Sequence, residues 1–181
     1  MSDAADLHSR AQVVTVDERG TVTGVADRHQ AHVPPGRLHL AVSVQLVDDD
    51  GRWIVQRRAA SKLLFASRWA NSCCTHPKPN EPLKMAASRR VYEELGLHIV
   101  GLDPMGTFLY QAHDDTSGLV EHELDHVYLA RAVGMPKPSP VEVDELAHLS
   151  LDEAIALLAT DDAAPWATRV VNIAAGRSAS G

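Results

Sequence analysis

Residues 81–96 read EPLKMAASRRVYEELG. Pro82, near the start, suits a first helical turn, where its missing N–H would have no partner anyway. Gly96, just past the end, suits the left-handed turn-off of a helix. Between them Leu83, Ala87, Val91 and Leu95 share one face at helical spacing. The spacing predicts a helix with a single apolar stripe. Such a stripe has to be covered, and the chain on either side supplies strands to cover it.

Upstream, VVTVDERGTVTGV (13–25) reads as a hairpin turning at Glu18-Arg19-Gly20. HVPPGR (32–37) is a Pro/Gly linker into a long apolar strand, LHLAVSVQLV (38–47). DDDG then turns the chain into RWIVQRR (52–58), a second hairpin arm, and ANSCCTHP (70–77) reads as a loop. Downstream, LHIV and GTFLY read as short strands, followed by a polar loop, QAHDDTSG (111–118). LVEHELDHVYLARAV (119–133) is a strand that puts Glu121, Glu123 and Asp125 on one face by period-two alternation. Ser150 and Glu153 form a capping-box pair ahead of a helix, and APWATRVVNIAAG has Pro165 at a helix start and Gly176 at its end. The order of strands, helix, strands and two helices predicts an α+β fold, an α/β/α sandwich around a mixed sheet. One domain is expected over residues 12–176, with flexible ends at 1–11 and 177–181.

The chain has 181 residues and a formal charge of −7. No basic face is available to neutralise phosphates along a nucleic acid, so a small-molecule partner is expected and a nucleic acid is not. No apolar run approaches the ~20 residues of a membrane span, and MSDAADLHSR has no cationic start followed by an apolar run. The only two cysteines, Cys73 and Cys74, are adjacent. A disulfide between them would need strained geometry, so reduced thiols and a cytoplasmic location are expected.

Ten histidines are many for an acidic chain. His32, His39, His76, Glu121 and Glu123 could together make an oxygen/nitrogen cage for Mn, Mg or Zn, although spacing alone does not bring them together. Packed histidines and a solvated strand face are the competing readings. Arg90 and Glu94 fit a surface ion pair, or a metal-binding carboxylate beside a phosphate-binding arginine. Arg57, Arg58 and Lys62 are a basic cluster that could be a solvated loop, and Trp166 could be a core anchor.

The segments RLHLAV, RRAASK, RWANSCCTHP, RRVYEELG, GLVEHEL and APWA, in this order and spacing, resemble the type I isopentenyl-diphosphate isomerases of the Nudix superfamily. The resemblance spans roughly residues 20–170. It implies a metal site of His32, His39, His76, Glu121 and Glu123, and a catalytic set of Cys74, Glu123, Tyr110 and Trp166. It also implies that Glu94, with the Cys74 backbone carbonyl, holds a substrate-linked Mg, and that Arg28, Arg58, Lys62 and Arg90 neutralise a diphosphate. Cys73 then stands where a small apolar residue is tolerated. The chain departs from the family pattern at Asn80, where glycine is usual, and at LLFASR (63–68), where the usual form is aromatic-Pro-Gly. Asn tolerates the left-handed region best after glycine.

The activity so implied is the interconversion of isopentenyl and dimethylallyl diphosphate through a tertiary carbocation, by a monomer or weak homodimer. It needs an acid and a base on opposite sides of the substrate, with water excluded. Glu123, assisted by Tyr110, is expected to give the proton and a Cys74 thiolate to take the other, with the reverse assignment open. Trp166 would face the positive charge. Two other readings remain. One is a Nudix hydrolase of an isoprenoid or nucleotide diphosphate, against which Arg90 stands in place of the signature glutamate. The other is a zinc module using Cys73, Cys74 and His76, three ligands too close in sequence to surround a tetrahedral ion easily.

Overall fold

The computed structural model describes residues 11–177; the expected flexible ends lie outside these residues except for Ala11 and Arg177. The elements run β1 (Gln12–Val16), β2 (Val22–Asp27), α1 (Arg28–His32), β3 (His39–Val47), β4 (Trp53–Arg58), β5 (Trp69–Ala70) and β6 (Cys73–Thr75). They continue with α2 (Leu83–Leu95), β7 (His98–Asp114), β8 (Leu119–Val133), β9 (Val143–Leu149), α3 (Leu151–Leu158) and α4 (Ala167–Ala174).

β3 is the centre of the sheet. Along one edge it pairs in parallel with β8, from His39↔Glu123 to Val47↔Arg131. Its antiparallel pairings are divided among three strands: β1 at His39, β6 at Val42–Val44 and β4 at Leu46–Val47. β4 therefore leaves β3 after two residue pairs and goes on to pair with β5 and β9. The short β5–β6 segment fills the opening between them.

Both faces of the sheet are covered, which is why β3 reads as a nearly unbroken apolar run. On one face Val42, Val44, Leu46, Ile54 and Tyr128 pack against Ala87, Val91 and Leu95, the stripe of α2. On the other, Trp53, Val55 and Val127 pack against α3 and α4 through Ala154, Leu158, Val170 and Val171. The α/β/α sandwich is borne out. So are the limits of α2, where Pro82 is the N-cap and Gly96 (φ 64°) caps the C-terminus with its N–H on the Tyr92 carbonyl. The capping box of Ser150 and Glu153 is also present.

Five local readings need correction. The two short strands and the first half of the polar loop are one strand, β7 (His98–Asp114), leaving 115–118 as the turn, and its pairing with β8 slips at Val100/Leu102 and Pro104/Gly106. Those bulges hide the alternation, and β8 extends pairing as far as Asp114. The Cys/His segment is not simply a loop, since β5 and β6 are made by their partners β4 and β3. The Pro/Gly linker is preceded by the five-residue α1, capped by Asp27 accepting from the Gln30 N–H at 3.0 Å. β9 was not foreseen, because its half-exposed, charge-rich sequence becomes a strand only against β4. At the last helix, Trp166 rather than Pro165 stands at the N-cap, and Gly176 (φ 68°) lies past Ala174.

Candidate active site

Alternation along the strands decides which side chains meet. Glu121, Glu123 and Asp125 share the face of β8 that carries Val127, and all three carboxylates are buried, not solvated. His39 begins β3 opposite Glu123, His32 ends α1, and His76 follows β6. Their ligand atoms converge: one from each of His32, His39, His76, Glu121 and Glu123, all within 4.8 Å of one another. His32 Nε2 lies 2.9 Å from Glu121 Oε2, His76 Nε2 lies 2.7 Å from Glu123 Oε1, and the His39 and His76 Nε2 atoms are 3.2 Å apart.

The outer ring nitrogens show what this cluster fits. His32 Nδ1 meets the Arg28 carbonyl at 2.6 Å and His39 Nδ1 meets the Arg37 carbonyl at 2.7 Å. A carbonyl only accepts, so each Nδ1 carries a proton, and in the neutral ring Nε2 points a bare lone pair inward. Two inward lone pairs, a third imidazole and two carboxylates in a buried pocket form a donor set that fits a divalent cation, with the outer carbonyls orienting the ligands.

The two cysteines separate at β6. Cys73 pairs with Val44 and is fully buried in the core against α2, a packed small hydrophobe as expected. Cys74 pairs with Ser43 and faces the other way, into a cleft of about 410 Å³ that Glu121, Glu123, His76, Tyr110 and Trp166 also line. The zinc module is thereby excluded, since Cys73 points away from His76.

Around Cys74 Sγ the neighbours are acceptors. Asn71 Oδ1 and Ser43 Oγ each lie at 3.2 Å, and the Ser43 hydroxyl gives its own proton to Asp125 Oδ2 at 2.6 Å. Burial, and then the Asp125 charge, push the thiol up to about 12. Burial also pushes the Asp125 carboxyl up, to about 8, with Glu123 adding to the effect. Glu123 has the opposite setting. Burial alone would raise it, but its imidazole neighbours, His39 first, and the Tyr110 hydroxyl hold it below the ordinary range. Tyr110 lies across from Glu123 on β7 and donates its hydroxyl to Oε2.

Trp166 is buried, with its Nε1–H on Asn71 Oδ1 at 3.2 Å and the Phe65 ring edge-on at 5.3 Å. The Arg58 guanidinium lies 5.4 Å from the indole centroid, so this ring already attracts one cation.

Arg28, Arg58, Lys62 and Arg90 all line the same cleft. Arg58 is held by the Leu64 and Phe65 carbonyls, at 2.8 and 3.0 Å. Arg90 and Glu94 are no surface pair: the carboxylate is buried, 2.7 Å from Arg90 and 2.9 Å from Gln56 Nε2. Glu142, unforeseen, bridges Lys62 and Arg90. Arg57 does not join them; it bonds the Ser67 carbonyl at 3.0 Å and lies outside the cleft lining. Reading the chain gives no site role to Ser43, Gln56, Asn71 and Asp125, although it places Asp125 on the face of Glu121 and Glu123, and Asn71 lies in a segment of the family resemblance. Their signal was present: polar side chains inside segments otherwise apolar enough to be buried on both faces.

The NUDIX domain family model matches residues 37–171. An isopentenyl-diphosphate Delta-isomerase from Nocardia farcinica is 44% identical over 164 residues, covering 90% of this chain and 93% of that protein. The chain belongs to this isomerase family. Another member, from Streptomyces griseus, is 43% identical over 88% of this chain and 81% of its own length. Among solved structures, DR0079 from Deinococcus radiodurans superposes with a TM-score of 0.71 at 22% identity, covering 89% of this chain and 97% of that one. A MutT protein from Methanosarcina mazei gives 0.58 at 22%, over 70% and 85%. These two share the fold. Within the isomerase family's chain, no helix among the described residues is long and apolar enough to cross a membrane.

Proposed function

We propose that residues 12–176 act as one catalytic unit that interconverts isopentenyl diphosphate and dimethylallyl diphosphate. The observation that carries this reading is the pairing, in one cleft, of a thiol that donates to Asn71 Oδ1 with a carboxylate that accepts from the Tyr110 hydroxyl. A thiol and a carboxylate at rest form an acid and a base ready for a two-proton exchange.

From that resting state Cys74 is the donor and Glu123 the acceptor, the reverse of the first expectation. The alkene π electrons take the Cys74 proton at the terminal carbon, which becomes a methyl group. Positive charge forms at the tertiary carbon beside it, against the Trp166 face. A C–H bond on the carbon beyond then breaks, its electrons form the internal double bond, and the proton passes to Glu123. Turnover leaves a thiolate and a carboxylic acid, the state from which the back reaction starts, and proton exchange with solvent restores the thiol and carboxylate for the next forward turn.

Arg28, Arg58, Lys62 and Arg90 bind the diphosphate and hold the reacting carbons between the two groups. Glu94, with the Cys74 carbonyl, would hold a substrate-linked Mg. A Mn, Mg or Zn ion bound by His32, His39, His76, Glu121 and Glu123 would supply positive charge that orients Glu123. The unit works in the cytosol as a monomer or weak homodimer.

Incubation with isopentenyl diphosphate and Mg in deuterated water, read by NMR, tests the proposal. Dimethylallyl diphosphate carrying deuterium in a methyl group is expected. Free phosphate would instead make the chain a hydrolase, and unchanged substrate would remove the catalytic reading.

A further inference from the structure

Asn71 sits between β5 and β6, fully buried, and its amide uses both ends. Nδ2 donates to the carbonyls of Cys73 at 3.0 Å and Val44 at 3.2 Å. Those two residues are partners in the β3–β6 ladder, so the amide is anchored to the sheet itself. Carbonyls cannot donate, which fixes the amide orientation: the NH₂ faces the ladder and Oδ1 faces the cleft. At Oδ1 two donors arrive, the Cys74 thiol and the Trp166 indole N–H, each at 3.2 Å. An indole N–H only donates, so this orientation satisfies it as well.

We infer that Asn71 is a positioning residue whose single amide oxygen fixes the Cys74 sulfur and the Trp166 ring relative to each other. The inference rests on the isomerase reading. Cys74 comes from β6 and Trp166 from the N-cap of α4, on separate elements that this oxygen ties together. In that reaction the sulfur delivers the proton that creates the charge, and the indole faces the charge so created. Their relative placement therefore enters the barrier directly. A displacement of ~1 Å in such an arrangement can cost about a hundredfold in rate. Asn71 bonds none of Arg28, Arg58, Lys62 and Arg90, and only Arg58, over the Trp166 ring at 5.4 Å, links a shift of the indole to the diphosphate residues.

The test uses the full chain, metal-loaded, with Asn71→Ser, Trp166→Phe and the double variant. Trp166→Phe keeps an aromatic face and removes the N–H donor together with the five-membered ring of the indole, so it also weakens the attraction for positive charge. Asn71→Ser should lower kcat about a hundredfold and leave KM for isopentenyl diphosphate within about twofold, with an unchanged circular dichroism spectrum. The double variant should be slower than Asn71→Ser by clearly less than the factor Trp166→Phe costs in the parent, because the two substitutions share one broken link. A kcat near that of the parent, a loss confined to KM, or losses that multiply in the double variant would overturn the inference. Failure of the parent to isomerise would sink the isomerase reading instead.

Should Asn71→Ser not fold, Cys74→Ala supplies the second measurement. Removing one of two donors on Oδ1 should strengthen the other, moving the Trp166 indole proton resonance downfield while those of Trp53 and Trp69 stay. An unmoved Trp166 resonance would count against a shared oxygen.

Discussion

On one face of β6 the Cys73 side chain is fully buried among Val44, Ile54 and the stripe of α2. On the other face, one residue along, the Cys74 sulfur lies between Asn71 and Ser43 in the wall of the cleft. The two thiols are the same chemical group, and burial pushes both upward. What separates them is the pleat, which sends one into packing and the other toward substrate. On the proposed reading, the face toward α2 supplies stability and, at its rim, where Arg90 paired with Glu94 lines the cleft, grip on phosphate, and the face toward α3 and α4 carries the proton chemistry.

That division breaks most readily at the cysteines. Cys74→Ala should lower kcat by about 10²- to 10⁴-fold, the usual worth of a general acid, while bound metal stays the same. Cys73→Ala should leave kcat within about twofold and cost about 1 kcal/mol in a urea melt, the size of an ordinary core truncation. Comparable loss of activity in both would dissolve the distinction between the faces.

Glu94 tests the rim of the α2 face. Its carboxylate is buried against Arg90 and Gln56 and has no part in the proton steps. Glu94→Gln should raise KM for the diphosphate about tenfold, the equivalent of one charge-assisted hydrogen bond, with kcat and cage-bound metal little changed. An unchanged KM would remove Glu94 from substrate binding.

Legibility follows the same division. α2 and β8 are evident from the residues because each carries a long, regular period, and α2 has signals at both ends. β5, β6 and β9 are short or polar, and only their partners make them strands. The five members of the cage are visible as residue types, yet their convergence depends on α1, β3 and β8 meeting. Resemblance to a family supplied that convergence in advance; the residues alone favoured packed histidines and a solvated strand face. Ser43 and Asn71 were overlooked for a different reason. Each lies inside a segment whose surroundings are apolar, and only a full count of buried hydrogen bonds draws attention to it.

The loop at 63–68, which departs from the family pattern, gives a smaller effect. Phe65 (φ 49°) and Ser67 (φ 60°) both adopt left-handed backbone, as does Asn80 (φ 64°), the residue expected to tolerate it. The Phe65 N–H on Asp114 Oδ2 and the carbonyl bonds from Arg57 and Arg58 hold the loop against this strain. A serine in that region costs roughly 1–2 kcal/mol, and glycine gives back about 0.4–1 through the unfolded chain. Ser67→Gly should therefore stabilise the protein by roughly 0.5 kcal/mol. A lower melting temperature would mean that the serine side chain contributes more than its backbone costs.

The smallest effect belongs to the start of α2. Glu81 accepts two hydrogen bonds from Arg89, at 2.7 and 2.8 Å, and one from the Lys78 N–H at 2.9 Å. The Arg89 bonds outweigh burial and hold the carboxyl below its ordinary 4.5. Between the ordinary and the folded value, the unfolded chain binds more protons than the folded one, so stability rises with pH there. The contribution of Glu81 is complete above about pH 4.5 and is lost as the pH falls through the lower, folded value. Glu81→Gln should thus be less stable than the parent at pH 7, with the two melting temperatures converging on acidification. Glu81 itself does not line the cleft, although its partner Arg89 does, so kcat at pH 7 should stay within about twofold while stability changes. A gap that persisted into strong acid would show that Glu81 acts through packing and not through its charge.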